Sequence, residues 1–374
     1  MLRPIRITCT ISSLGGGGAE RSLVNLATLL AEKGHEVRLL TLQRQVPDAY
    51  SVPSGIRRYY AEPAVAQSCQ WINLPQQLRR NQALRRSLLA TQPEIVISFV
   101  DTTNVAVLQA MMGTGIQIAV AERTDPQFHA IGLRWQVLRR LYYPLAAQII
   151  VQGKELCNWA KRAWWPSRVC AIPNPIFPTA RSQSPPQKRS DLFPQPHTAI
   201  AMGRLDPVKG FDRLIDAFAE IAPRFPDWHL TILGEGALRP QLEAQIEGLS
   251  LKHRISLPGR IDEPANVVGQ ADLFVLSSHY EGFPNAMLEA MACGLPAIAL
   301  DTSSGPRAIV RHNVDGLLVS PAEKNALSKA MADLMADDVK RQRFATRAPE
   351  VLERFSPQRA ISAWEAVIAA SLGL

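Results

Sequence analysis

Only five cysteines occur in 374 residues, at positions 9, 69, 157, 170 and 293, and no two form a C-x-x-C pair. An odd, scattered set excludes a disulfide framework and a zinc knuckle, and it suits a reducing cytoplasm. No run of ~18 apolar residues exists, so no membrane-spanning helix is expected, and Met1 to Gly18 lacks the apolar stretch of a signal peptide. Asp-x-Asp is absent as well. A bound diphosphate would therefore rest on protein cations rather than on a carboxylate-held divalent ion. Repeats at solenoid periods are missing too.

What is present is a chain long enough for two or three domains, 47% hydrophobic and 20% charged, with a net charge of +8. The charge is lopsided: residues 1–190 carry 23 Lys+Arg against 10 Asp+Glu, residues 191–374 carry 18 against 23. The N-terminal half thus favours an anionic partner.

Short β-rich runs alternate with helical patterns. Strands are predicted at Ile5–Ile11, Val37–Leu42, Ile95–Phe99, Ile116–Ala121, Ile149–Val151 and Val169–Ile172. The spacing of Leu23, Leu26, Ala27 and Leu30 predicts a helix over Ala19–Lys33 that stops at Gly34. Residues 178–197 hold five prolines and no apolar period, as an exposed linker would. The alternation then restarts, with strands at Ala199–Met202, Leu230–Leu233, Ile255–Leu257, Leu273–Leu276, Ala297–Leu300 and Leu317–Val319, and helices at Phe211–Ile221, Leu238–Ile246 and Asn285–Cys293. The expected architecture is α/β: two Rossmann-like, doubly wound parallel-sheet domains at 1–177 and 198–355, joined by the 178–197 linker and facing across a cleft, with a helix at 356–374 that could pack back on the first domain.

Three turns carry candidate chemistry. The first, Ser13-Leu14-Gly15-Gly16-Gly17-Gly18-Ala19-Glu20, joins a strand to a helix, where backbone N–H groups can meet an anion. The G-x-G-x-x-G fingerprint fails here, because Glu20 and Arg21 stand where its third glycine belongs. The second, Gly203-Arg204-Leu205-Asp206-Pro207-Val208-Lys209-Gly210, sets a guanidinium and an ammonium where together they could neutralise a diphosphate. The third runs from Ser277 to Glu289; Pro284 suits a first helical turn, leaving Glu281 on the preceding loop and Glu289 inside an apolar helix.

Together the glycine turn, the G-R-x-x-x-x-K-G stretch, Leu233-Gly234-Glu235-Gly236, Leu257-Pro258-Gly259 and the glutamates spaced by seven resemble the group 1 (family four) glycosyltransferases, over about residues 12–320. Ser98-Phe99, Glu122-Arg123-Thr124-Asp125-Pro126 and Ile172-Pro173-Asn174-Pro175 look most like bacterial members that build surface polysaccharides or lipid-linked oligosaccharides. The resemblance implies the GT-B fold and retaining, metal-independent transfer from a nucleotide-diphosphate sugar, with uridine diphosphate as carrier, to a glycan or polyprenyl-diphosphate-linked acceptor, and no further cofactor. It implies that Arg204 and Lys209 bind the donor diphosphate, Glu281 the transferred sugar and Glu289 the ribose. Backbone around Arg260 and Ile261 would hold the base; Gly282, Phe283, Pro284, Asn285 and Ala286 would contact sugar and phosphate; Gly17 and Gly18 would line the cleft from the other domain. Relatives place a histidine in the N-terminal domain, where this chain has Glu122 and Arg123, with His129 a few residues on; these and Glu20 are the acceptor-side candidates. The alternative is an isomerase of the same fold, a nucleotide-sugar 2-epimerase.

Leu78–Leu89, preceded by Trp71-Ile72, and Arg134–Tyr143 place arginines beside Leu, Trp and Tyr. Such faces suit helices lying on an anionic bilayer, which would make a cytoplasmic enzyme peripheral to the inner face of the membrane. No nucleic-acid reader motif accompanies the charge.

Overall fold

A computed structural model of the chain describes residues 2–62, 74–129, 131–163, 168–177, 192–261 and 264–374. Trp71, Ile72, Cys69 and residues 178–191 of the expected linker lie outside them. Two compact units emerge: Met1–Pro175 with Pro357–Leu374, and Ile176–Ser356.

Unit 1 holds a parallel sheet of β1 (Arg6–Ile11), β2 (Glu36–Thr41), β3 (Arg57–Tyr60), β4 (Ile95–Phe99), β5 (Gln117–Ala121), β6 (Gln148–Val151) and β7 (Val169–Ala171), in the order β3-β2-β1-β4-β5-β6-β7. Central strands such as β4 are buried along their whole length, which is why they read as unbroken apolar runs. Cys9 pairs with Leu39 on one side and Ile97 on the other. The sheet is flanked by α1 (Gly18–Glu32), α2 (Leu74–Ala90), α3 (Asp101–Met111), α4 (Leu133–Tyr142) and α5 (Lys154–Ala163). The strand β3 was not legible beforehand: it is an edge strand of sequence Arg-Arg-Tyr-Tyr, partly exposed along its length, and carries no apolar run.

Unit 2 repeats the plan with β8 (His197–Met202), β9 (Trp228–Leu233), β10 (Ile255–Gly259), β11 (Leu273–Leu276), β12 (Ala297–Leu300) and β13 (Gly316–Val319), in the order β10-β9-β8-β11-β12-β13. Its helices are α6 (Phe211–Ile221), α7 (Arg239–Gly248), α8 (Pro264–Val268), α9 (Asn285–Ala292), α10 (Ser304–Ile309), α11 (Ala326–Ala336), α12 (Asp338–Arg347) and α13 (Val351–Arg354). The strand β8 begins at His197 and Phe193 is already buried, so the end of the proline-rich stretch is built into this unit. The last helix, α14 (Pro357–Leu372), returns to unit 1, stacking Trp364 on Phe99 with ring centroids 6.1 Å apart.

In each sheet the strand order reverses beside the first strand: between β1 and β4 in unit 1, and between β8 and β11 in unit 2. Loops leaving the carboxyl ends of such a pair diverge to opposite faces and open a crevice, where ligands of this architecture bind. Among the described residues no helix is long and apolar enough to cross a membrane.

Candidate active site

In unit 2 both loops at the reversal point are tied together. After β8 the chain passes Arg204 and forms a short 3-10 turn, Pro207–Lys209, begun by Asp206, whose carboxylate accepts a hydrogen bond from the Val208 N–H at 3.1 Å. The same carboxylate accepts one from the Arg204 Nε at 2.8 Å. Gly210 ends the turn at φ +59°, a left-handed conformation that glycine adopts without a steric cost, and α6 starts at the next residue. After β11, Ser277 Oγ donates to the Lys209 carbonyl at 2.9 Å, and the His279 N–H donates to the Val208 carbonyl at 2.8 Å.

This stitching brings Lys209 Nζ to 2.7 Å from Glu281 Oε1, across 72 residues of sequence. Ser278 Oγ donates to the same carboxylate oxygen at 2.7 Å. An ammonium has three donors, so two of those on Lys209 remain for an anion beside the glutamate. Arg204 extends into solvent, its side chain 77% exposed, with its other nitrogens free of Asp206.

A third loop, following β12, fixes the glutamate's backbone. Ser303 Oγ accepts from the Glu281 N–H at 3.0 Å and donates to the Glu281 carbonyl at 2.9 Å, while Thr302 Oγ1 donates to the Ser278 carbonyl at 3.2 Å. A Cβ on Gly305 would sit 2.5 Å from the Glu281 carbonyl oxygen, so only glycine permits this approach. Gly282, Phe283 and Pro284 carry the chain into α9; Phe283 and Pro284 are buried, with Phe283 edge-on to Phe355. Pro284 precedes the helix as its N-cap residue rather than lying in its first turn. Asn285 and Ala286 open α9, and Glu289 lies within it, partly buried. Arg260 is exposed beyond the end of edge strand β10, and the Ile261 side chain packs on the core.

Unit 1 places its candidates at the carboxyl edge of its own sheet. Gly17 is the N-cap residue of α1 with Gly18 first in the helix, and the Glu20 carboxylate folds back so closely that a Cβ on Gly17 would collide with it. A negative charge in the first turn already complements the helix dipole there. Glu122, just past β5, is fully buried: Tyr143 Oη donates to it, Arg139 stands 3.6 Å away, and its Oε2 has no partner. Burial, opposed by Arg139 and reinforced by Asp101, raises the Glu122 pKa to about 7. Asn104 donates to the Tyr143 hydroxyl at 3.1 Å. Arg123 Cζ stands over the Phe99 ring, 3.7 Å from its centroid, the side chain donates to Asn174 Oδ1 at 2.9 Å, and burial lowers its pKa to about 9. His129 comes to 3.6 Å from Asp101. Glu122 and Asp101 are thus buried beneath this edge, Arg123 is half-buried, and the His129 side chain beside Asp101 reaches solvent.

Ser278 and Ser303 were not singled out from sequence. Their signal was present: Ser303-Ser304-Gly305-Pro306 follows a strand and opens a helix, as the other phosphate-type turns do.

Comparison with known proteins identifies the family. The family description "Glycosyltransferase Family 4" matches residues 16–179, and "Glycosyl transferases group 1" matches residues 184–351. An α-1,4-N-acetyl-D-galactosaminyltransferase of Campylobacter jejuni, named for an undecaprenol-diphosphate-linked GalNAc substrate, is 25% identical over 366 residues, covering 98% of each chain. An exopolysaccharide phosphotransferase of Streptomyces coelicolor is 32% identical over 225 residues, 59% of this chain; the match spans only 23% of that longer protein. The Anabaena protein HepE, solved in complex with UDP, superposes with a TM-score of 0.78 at 18% identity, covering 98% of this chain and 100% of that one, a likeness of fold. The chain belongs to the group 1, or family 4, glycosyltransferases and has their GT-B fold of two Rossmann-like parallel-sheet domains.

Proposed function

We propose that this glycosyltransferase moves a sugar from a nucleotide-diphosphate donor, UDP foremost, to a glycan or polyprenyl-diphosphate-linked acceptor at the inner face of the membrane, with retention of anomeric configuration and with protein cations in place of a metal. The observation that carries the reading is the Lys209–Glu281 pair at the strand-order reversal of unit 2, with Arg204 projecting beside it. A carboxylate and an ammonium held together suit a substrate that presents sugar hydroxyls next to a diphosphate. As the bond from the anomeric carbon to the β-phosphate oxygen breaks, charge grows on the departing diphosphate. Arg204 and the free donors of Lys209 stabilise it, each worth on the order of 3 kcal/mol. The acceptor oxygen bonds the anomeric carbon and its proton passes to the departing phosphate oxygen, while Glu281 positions the sugar. The acceptor named for the Campylobacter relative supports a lipid-linked acceptor class for this chain.

A thermal-shift panel of nucleotide-sugars tests the donor class first, since a ligand at a hundred times its Kd adds ~2.7 kcal/mol. The stabilising donor is then incubated with and without acceptor. Arg204→Ala is expected to lose about a hundredfold in kcat with an unchanged melting temperature, because an ion pair this exposed adds little stability. A folded Arg204→Ala enzyme with wild-type turnover would refute the assignment; donor isomerised without acceptor would mark an epimerase instead.

A further inference from the structure

The glycine turn of unit 1 seats a loop. Residues 43–56, between β2 and β3, are tied to it by the Gln43 N–H donating to the Ser12 carbonyl and the Ala49 N–H donating to the Leu14 carbonyl, each at 2.8 Å, and by the Tyr50 hydroxyl donating to the Gly17 carbonyl at 3.2 Å. A Cβ on Gly15 would stand 2.8 Å from Val46 Cγ1, so the close fit of the loop uses this glycine. The loop carries Arg44 and Asp48 to the edge strand β3. There Tyr59 packs on the core, and the alternation of a strand turns Arg58 and Tyr60 to the other face. Arg58 Cζ lies 4.8 Å and Arg44 Cζ 5.5 Å from the centroid of the ring of Tyr60, a residue 42% exposed. Asp48 accepts from Arg58 Nη2 at 3.0 Å, leaving the buried Nε and Nη1 of that guanidinium without a hydrogen-bond partner. Arg44 is exposed and forms no hydrogen bond or ion pair with any described residue, and neither does the Tyr60 hydroxyl. Glu62, two residues on, is engaged by Arg86 at 2.7 and 2.9 Å.

Two guanidinium groups on one phenol ring, with a single carboxylate beside them, hold more donors than acceptors and an uncompensated positive charge. Protecting an edge strand takes a charge of either sign and does not call for two cations on one aromatic ring. The excess donors fit a carboxylate or a phosphoryl group. Register fixes where such a group would lie: Tyr60 is level with Thr41, and Thr41 with Ile11, the last residue of β1. The cluster therefore stands at the carboxyl edge of the sheet, two strand spacings or about 10 Å from β1 and the reversal point beside it. Only an acceptor longer than a single sugar reaches from there to Tyr60. We propose that Arg44, Arg58 and the Tyr60 hydroxyl form a subsite for an acidic acceptor glycan, taking the carboxylate or phosphoryl group of a sugar removed from the one that reacts. The inference rests on the glycan-acceptor reading for its purpose, though not for its geometry.

The test is titration calorimetry of the full chain with trigalacturonate against its neutral methyl ester, with phosphorylated maltotriose against plain maltotriose, and with inorganic phosphate alone. At least one acidic oligosaccharide is expected to bind about tenfold or more tightly than its neutral form, the scale of a charge-assisted hydrogen bond, and the one that does so tells carboxylate from phosphoryl. Arg44→Gln should abolish about tenfold of this preference, and Tyr60→Phe, which keeps the ring between the guanidinium groups, should lose several-fold; both should keep the wild-type melting temperature, since neither removes a contact within the chain other than ring stacking. Equal binding of acidic and neutral forms, a preference unchanged in both variants, or inorganic phosphate bound as tightly as the acidic oligosaccharides would each overturn the proposal. In transfer assays Arg44→Gln should raise KM for an acidic acceptor about tenfold rather than lower kcat. Acidic-glycan binding by a chain that transfers sugar to no acceptor would sink the functional reading and leave the subsite standing; transfer to neutral acceptors alone would do the reverse.

Discussion

Lys209 and Glu281 hold one another across the mouth of unit 2, and each half of the pair is weaker alone. Glu281→Gln keeps a hydrogen-bond partner for Ser278 but removes the charge facing Lys209. The expected result is a loss of about a hundredfold in kcat against a stability cost of only about 1–2 kcal/mol, since the pair is partly solvated; steady-state kinetics and a thermal melt on one preparation check both. Glu122 makes the opposite kind of prediction. Burial raises its folded pKa to about 7, above the ordinary glutamate value of 4.5. The folded state therefore binds a proton more readily than the unfolded chain, so this group's contribution to stability is full below pH ~4.5 and is lost as pH rises through about 7. Its whole extent is about 3 kcal/mol. Glu122→Gln should flatten the fall in melting temperature between pH 5 and 7.5, and an unchanged slope would show the carboxyl ionised throughout. Residue types at the candidate turns were readable from sequence because Gly, Arg, Lys and Glu at a strand-to-helix turn imply anion chemistry. The contact between Lys209 and Glu281 was not readable, being made 72 residues apart.

At the scale of elements, the Lys209–Glu281 contact depends on how sharply the loop after β8 turns. A side chain at Gly210 would meet the Ser277 carbonyl oxygen at 2.5 Å and would have to hold φ at +59°. Gly210→Ala should cost at least ~1 kcal/mol through the left-handed backbone alone. It should also part the Lys209 loop from the Glu281 loop, so that kcat/KM falls far more than the melting temperature; equal losses would mean that the turn matters only for folding. Periodicity located α6, β11 and β12 at their observed bounds. It did not settle which face of α4 turns inward, because Leu, Trp, Tyr and Val are all apolar; packing against the sheet buried Trp135, Leu138 and Tyr142 and left Leu133, Val137 and Leu141 outside. Arg139, expected on a basic surface, is buried next to Glu122.

For the whole molecule, α14 belongs to the unit that the chain left about 180 residues earlier. It buries Ile361, Trp364, Val367 and Ile368. At about 1.5–3 kcal/mol for each large apolar side chain, an upper bound of ~12 kcal/mol rests on this helix, comparable with the entire stability of a typical domain. A chain ending at Ser356 should keep the calorimetric transition of unit 2 and lose that of unit 1; two unaltered transitions would show the helix dispensable. The sequence by itself determined the α/β class, the doubly wound plan and the family, since strand runs, helical periods and glycine turns are local patterns that neighbouring residues impose on one another. Only the tertiary structure decided that Ser278 and Ser303 hold Glu281, that Glu122 is buried beneath its sheet edge rather than exposed upon it, and that α4 keeps a leucine stripe in solvent. Those outcomes depend on which surfaces meet after the strands have ordered into sheets, and no local pattern encodes a contact between segments distant in sequence.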